Sequence, residues 1–173
     1  MSAAGPRRGY TLDWHGDKLL AQVEAGARRN VETACVYLVG QIKQELSKPG
    51  TGRLYKRTKG KKGTKAAKYH RASTAGHRPA PDFDRLRASI TYAVSGGRQM
   101  KPVANKKGES SDGVERPAAT RDQVTGVVGS NVPYAIYLEL GTKLMRWRPF
   151  LRTGLLKHKA EIARLLGRAV PLK

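Results

Sequence analysis

The sequence predicts an α+β domain: a long N-terminal helix and a C-terminal helix packed on a small antiparallel sheet, with an extended basic arm. Three observations predict it. Apolar residues recur at helical spacing over residues 13–47 and again from about 148 to 170, while two short runs, 84–94 and 123–130, carry strand character. Between the first helix and the first strand, residues 46–81 hold eleven basic residues and no acidic one. A chain of 173 residues suits one domain, 1–173, with one moderate core. Aromatics make up only 6% of it, so that core should be mainly aliphatic.

In the first helix, Leu19, Leu20, Val23, Ala27, Val31, Ala34, Cys35, Leu38, Ile42 and Leu46 form one stripe at three- and four-residue steps. Asp13 or Asp17 suits its N-cap, and "SKPG" at 47–50 supplies the stop. At 1.5 Å per residue the helix is on the order of 45–50 Å long. That is long for so small a domain and suggests packing on a neighbouring chain as well. The basic arm, 46–81, is broken by Gly50, Gly52, Gly60, Gly63 and Gly76 and buries too little surface to order itself; order along it would need a partner.

"DRLRASITYAV" (84–94) reads as a helical turn running into a strand, with Ile90, Tyr92 and Val94 alternating against Thr91 and Ala93. The Gly/Pro/polar stretch 95–122 reads as a long loop and the place where insertions are best tolerated. "QVTGVVGS" (123–130) is the returning antiparallel strand. A short helix follows in "NVPYAIYLELGT", with Pro133 in its first turn and Gly141 as a left-handed C-terminal cap. The chain closes on an amphipathic helix with Leu151, Leu155, Ile162, Leu165, Leu166 and Ala169 on one face.

Charge is the strongest compositional signal: 34 Lys and Arg against 13 Asp and Glu give a net charge of +21. Such a balance points to a polyanionic neighbour such as nucleic acid, an anionic surface or an acidic partner protein. Chemistry is harder to find. The four histidines, His15, His70, His77 and His158, lack zinc-ligand spacing, and the acids lack the pairing of a metal-dependent nuclease. No phosphate-binding glycine loop and no nucleophile elbow occurs. Cys35, the single cysteine, excludes an intramolecular disulfide and reads as a small buried hydrophobe. We expect neither enzymatic activity nor a cofactor or metal. No zinc finger, stacking pair of aromatics or helix-turn-helix appears, so any nucleic-acid contact would be electrostatic and blind to sequence. "MSAAGPRRGYTLDWHGDK" lacks the apolar core of a signal peptide, and no apolar run approaches the ~18 residues needed to span a bilayer. A soluble product made in a cytoplasm, with no membrane partner, is expected.

One ordered set of motifs is more specific. "STAGHRPAPDFDRLRASI" is followed by "VGSNVPYA", "YLELGT" and "RPFLRTGL" before the last helix. This succession resembles the neck or tail-completion family of long-tailed, siphovirus-type bacteriophages. Its members typically show an "aPGexP…tGrLr.SI" stretch, then "vGsnv.YA.yqEfGT", then "aRPFLrpAl". The resemblance spans about residues 73–157. The family's "tG" is Asp82-Phe83-Asp84 here and its Pro-Gly turn is Ala75-Gly76, while the lysine-rich arm and the long loop fall outside the match.

The resemblance implies a non-catalytic virion protein at the head–tail junction, assembled with itself as a sixfold ring beside the head–tail connector and the tail terminator or tail tube. Packaged DNA in the channel is a further possible contact. Tyr134, Glu139, Gly141, Thr142, Arg148, Pro149 and Phe150 are then the candidate interface or core anchors. Pro149 fixes the start of the last helix, Phe150 anchors either a core or a subunit contact, and Glu139 pairs with Arg146 or Arg148 within or across subunits. The arm cations Arg53, Lys56, Arg57, Lys59, Lys61, Lys62, Lys65, Lys68 and Arg71 are candidate contacts to DNA or to acidic protein surfaces. The competing reading is a basic, sequence-nonspecific nucleic-acid-binding protein acting through that arm alone.

Overall fold

Ile42, Ile90, Thr91 and Val94 are the most deeply buried large side chains, so the core lies where the first helix crosses residues 90–94. The computed structural model describes residues 16–56, 69–80, 84–102, 113–120 and 123–170. The first helix, α1, runs Gly16–Ser47; of the two expected N-caps, Asp13 lies outside the described residues and Asp17 stands inside the first turn. At 32 residues it is about 48 Å long.

Only part of the predicted stripe of α1 is covered. Ala34, Cys35, Leu38, Ile42 and Leu46 are buried, as is Val39, whereas Leu19, Leu20 and Val23 are exposed. The helix ends at Ser47, whose hydroxyl donates to the Lys43 carbonyl at 2.7 Å, and Pro49 keeps the residue before it out of helical geometry. The last carbonyls are capped from a distance. Arg78 donates from Nε to the Glu45 carbonyl at 2.6 Å and from Nη2 to the Pro49 carbonyl at 2.9 Å, placing a cation at the negative end of the helix.

The flanks of the basic arm form a hairpin stem. Strand β1 (Leu54–Lys56) pairs antiparallel with β2 (Tyr69–Arg71), setting Leu54 against Arg71 and Lys56 against Tyr69. The expectation that the arm cannot order itself therefore fails for its flanks. Backbone pairing extends the stem, with the Gly52 amide donating to Ala72 and the Ala72 amide donating to Arg53.

Helix α2 (Arg85–Ser89) leads into β3 (Thr91–Val94), which pairs with β4 (Gly126–Gly129) in the register Thr91–Gly129 to Val94–Gly126. The sequence predicts alternation in β3, but all four of its residues are buried. Tyr92 and Val94 join the cluster against α1, while the Thr91 hydroxyl accepts the Val114 amide at 3.0 Å on the other side. Val114 is itself buried, its carbonyl takes Gln99 Nε2 at 2.8 Å, and Asn131 Nδ2 reaches the neighbouring Gly113 carbonyl. Thus the 95–122 stretch is not uniformly open to insertion: its residues 113–114 seal the second face of β3. The chain after β3 also folds back on the free edge of that strand, where the Met100 amide donates to Tyr92 at 2.8 Å.

Three helices complete an α+β fold: α3 (Tyr134–Leu140), α4 (Leu151–Lys157) and α5 (Lys159–Leu166). The predicted single C-terminal helix is broken at His158, where φ is −108° and ψ 11°. The break coincides with a tether to α1: the Tyr37 hydroxyl and His158 Nδ1 lie 3.1 Å apart, their rings edge-on at 84°. On the amino-terminal side of the tether, Gly154 lets α4 close on α1, since a Cβ there would stand 2.7 Å from Ile42 Cγ1. On the other side, Asn30 of α1 donates to the Arg168 carbonyl at 2.8 Å, satisfying an orphan group just past α5.

Candidate functional site

The corner between α3 and α4 is built from backbone and one carboxylate. Gly141 has φ 80° and ψ −179°, a region that essentially only glycine enters. The sequence anticipates a left-handed cap here; φ is positive as expected, but ψ is extended rather than helical. The reason is spatial: the chain must double back at once, and a Cβ on Gly141 would lie 2.8 Å from the Trp147 amide nitrogen and 2.9 Å from the Met145 carbonyl. The loop is stitched by the Thr142 hydroxyl, which accepts the Met145 amide at 3.0 Å, and by the Thr142 amide donating to Met145 at 2.8 Å. It then closes on α3 through the Arg148 amide, which donates to the Leu138 carbonyl at 2.7 Å.

Within the chain Glu139 pairs with backbone amides and not with Arg146 or Arg148. Its Oε2 accepts the amides of Phe150 and Leu151 at 2.8 and 3.0 Å, and its Oε1 accepts the Arg152 amide at 2.8 Å. These are the first amides of α4, which have no partner inside the helix. Phe150 has no side-chain acceptor with which to cap them, so a carboxylate from the preceding helix does so with charge-assisted bonds and a favourable dipole. Phe150 is 4% exposed and belongs to the main core cluster. Pro149 beside it is buried, whereas Thr142 and Tyr134 lie at the surface. Arg148 is half-buried, and its Nε is buried with no hydrogen-bond partner.

A second carboxylate holds α4 from below. Glu45 near the end of α1 meets Lys48 at 2.6 Å and Lys157 at 2.7 Å. The hydrogen bonds from Lys157 and Lys48 pull its carboxyl down to about 2.

The outer side of the corner is apolar and uncovered. Ile136, Tyr137 and Leu140 share the outward face of α3, opposite the buried Ala135 and half-buried Leu138 and Glu139. Trp147 sits at the same end of α3, its backbone against Gly141, and Leu144 is 100% exposed at the loop tip. Lys143 and Arg146, next to Leu144 and Trp147 in the chain, are exposed. Sequence reasoning missed this surface. Its signal was nonetheless present: α3 is apolar almost all round, more than one inward face can use.

The arm keeps its predicted cations at the surface where it is described. Arg53, Lys56 and Arg71 are exposed, and the Arg53 guanidinium lies 5.7 Å from the centre of the Tyr55 ring. Arg57, Lys59, Lys61, Lys62, Lys65 and Lys68 lie outside the described residues. No reactive constellation joins these groups. Among the described residues no three His, Cys, Asp or Glu side chains converge as a metal site would require. Cys35 is buried, and desolvation first, then Glu32, pushes its thiol up to about 11, so thiolate is scarce there. No helix among the described residues is long and apolar enough to cross a membrane. No family model, curated protein or solved structure matches this chain.

Proposed function

We propose that this chain is a structural subunit of the head–tail junction of a long-tailed bacteriophage, a neck or tail-completion protein that assembles with itself as a ring. The ordered motifs over residues 73–157 are the source of the reading. The observation that carries it in three dimensions is the large apolar surface left open on so charged a chain, most directly Leu19, Leu20 and Val23 together on α1. Scattered exposed apolar residues are ordinary, but groups of them on one helix face mark surfaces that another chain covers. The residues matched by the motifs support the same reading in another way. Gly141, Glu139, Pro149 and Phe150 hold a backbone corner in place.

In this role the protein has no turnover, and its work is done by contact. The test is the particle itself. Particles assembled without this chain should accumulate DNA-filled heads and separate tails, and adding the purified protein should join them. Normal joining in its absence, with the purified protein remaining monomeric and binding duplex DNA with a steep salt dependence, would instead favour the nucleic-acid-binding reading.

A further inference from the structure

We infer that the outer corner formed by α3 and the 141–148 loop is a docking surface for an acidic amphipathic segment of a different protein, not for a second copy of this chain. The inference rests on the assembly reading for the existence of a partner and goes beyond it in saying which kind. Two properties of the corner define the occupant. Its centre is apolar, with Ile136, Tyr137, Leu140, Leu144 and Trp147 exposed together. Its loop is cationic, with Lys143 and Arg146 exposed next to Leu144 and Trp147 in the chain. The acid of the corner, Glu139, is turned inward and has both oxygens engaged by the three amides of α4, so nothing within the patch neutralises that loop.

The acids elsewhere in the chain argue against self-docking. Glu24 is paired with Arg28, Glu45 with Lys48 and Lys157, and Glu161 with Arg164. Asp84 is paired with Arg87, and Glu32 takes the Tyr92 hydroxyl and lies 3.9 Å from Arg98. Among the described residues, with Glu139 capped as above, six of eight acids are thus engaged, leaving Asp17 and Glu115, and a second copy adds a further net charge of +21. Like charge across a desolvated interface is costly, whereas a partner that alternates apolar and acidic groups matches both centre and loop.

Arg148 supplies an independent sign. It lies between the corner loop and α4, half-buried, with Nε buried and unpartnered. A buried guanidinium N–H without an acceptor is unusual, and a carboxylate delivered from outside satisfies the planar fork once the side chain turns toward it.

The chain's two tryptophans are Trp14 and Trp147, so a Trp14→Phe variant leaves Trp147 as the sole indole reporter. The probes are a synthetic helix with Leu along one face and Glu along the other, the same peptide with Lys for Glu, and a random-sequence DNA duplex. Anisotropy of the labelled probes gives affinity, and Trp147 emission reports whether the corner is covered. The Leu/Glu peptide is expected to bind and shift Trp147 to shorter wavelength. Replacing Leu140 and Leu144 together with Ser should weaken it at least tenfold, and Arg148→Gln should weaken it severalfold while leaving the fold intact by circular dichroism. Any of four results overturns the inference: no binding of the Leu/Glu peptide, equal binding of the Leu/Lys peptide, stronger covering of Trp147 by DNA, or the same shift on concentrating the protein alone. Because the assay uses the purified chain, it can fail while particle joining still depends on the protein, and the converse result separates the two readings equally well.

Discussion

The corner and the arm hairpin both reverse the chain and both carry exposed cations, yet they are held by different forces. In the corner, a buried Phe150, a carboxylate on three amides and a glycine backbone found in few other residues fix one geometry. In the hairpin, β1 and β2 meet through backbone pairing while Leu54, Tyr55 and Tyr69 remain exposed. The difference teaches where substitution should matter. Apolar burial and specific caps contribute kilocalories at single positions, whereas an exposed two-stranded ribbon is marginal and spreads its stability over the backbone.

Substitutions can break this contrast in order of expected size. Phe150→Ala should have the largest effect, costing about 3–5 kcal/mol in chemical denaturation because it opens a cavity in the main cluster. Gly141→Val should follow, at about 2–3 kcal/mol or more, since it adds both strain and a Cβ pressed on Trp147 and Met145 backbone. If either variant unfolds at the wild-type denaturant midpoint, the corner is not the rigid element described. Glu139→Ala leaves three helix-start amides uncapped and should cost about 1–2 kcal/mol, with Glu139→Gln recovering part of that. The comparison sharpens at its lower end: Tyr55→Ser together with Tyr69→Ser should change stability by less than about 0.5 kcal/mol per site. A loss as large as that from Glu139→Ala would show the hairpin to be packed, not merely paired.

Acid provides the smallest and most local test. Glu45 has its carboxyl lowered from an ordinary 4.5 to about 2 by Lys157 and Lys48. A group whose pKa is lower in the folded state stabilises above the unfolded value and loses that contribution as pH falls through the folded one. The stability attributable to Glu45 should therefore be complete above about 4.5 and disappear toward about 2. The Glu45 side chain is 26% exposed, so salt should weaken the effect. Subtracting the pH profile of Glu45→Gln from that of the wild type should isolate it, and parallel profiles would remove Glu45 from the account of how α4 is held.

Much of the fold was legible in the pattern of the chain. The stripe in α1 and the strand runs at 91–94 and 126–129 follow directly from spacing. Which half of α1 is covered was not legible, because Leu19 and Leu38 look alike in a periodic stripe and only the placement of β3 and α4 separates them. The partners of Glu139 were invisible for a different reason. Sequence reasoning looks for a cation, but a backbone amide leaves no trace in residue identity. Arg78 was hidden likewise, since its acceptors are the carbonyls at the end of α1. The burial of Thr91 depended on Val114, which belongs to a stretch whose composition signals only loop. The break at His158 has neither proline nor glycine to announce it.

The carboxylate cap also has a kinetic consequence. Glu139 reaches Phe150 across a separation of 11 residues, whereas the nearest pair of the β3–β4 ladder joins Val94 to Gly126. Loop-closure entropy rises as (3/2)RT ln n, so bringing the corner together is cheaper than closing the sheet by about 0.9 kcal/mol. The corner is thus assembled from near neighbours along the chain, and the sheet from distant ones. A refolding chain can form α3, the turn and the start of α4 as a local unit before α1 and the two strands have found each other.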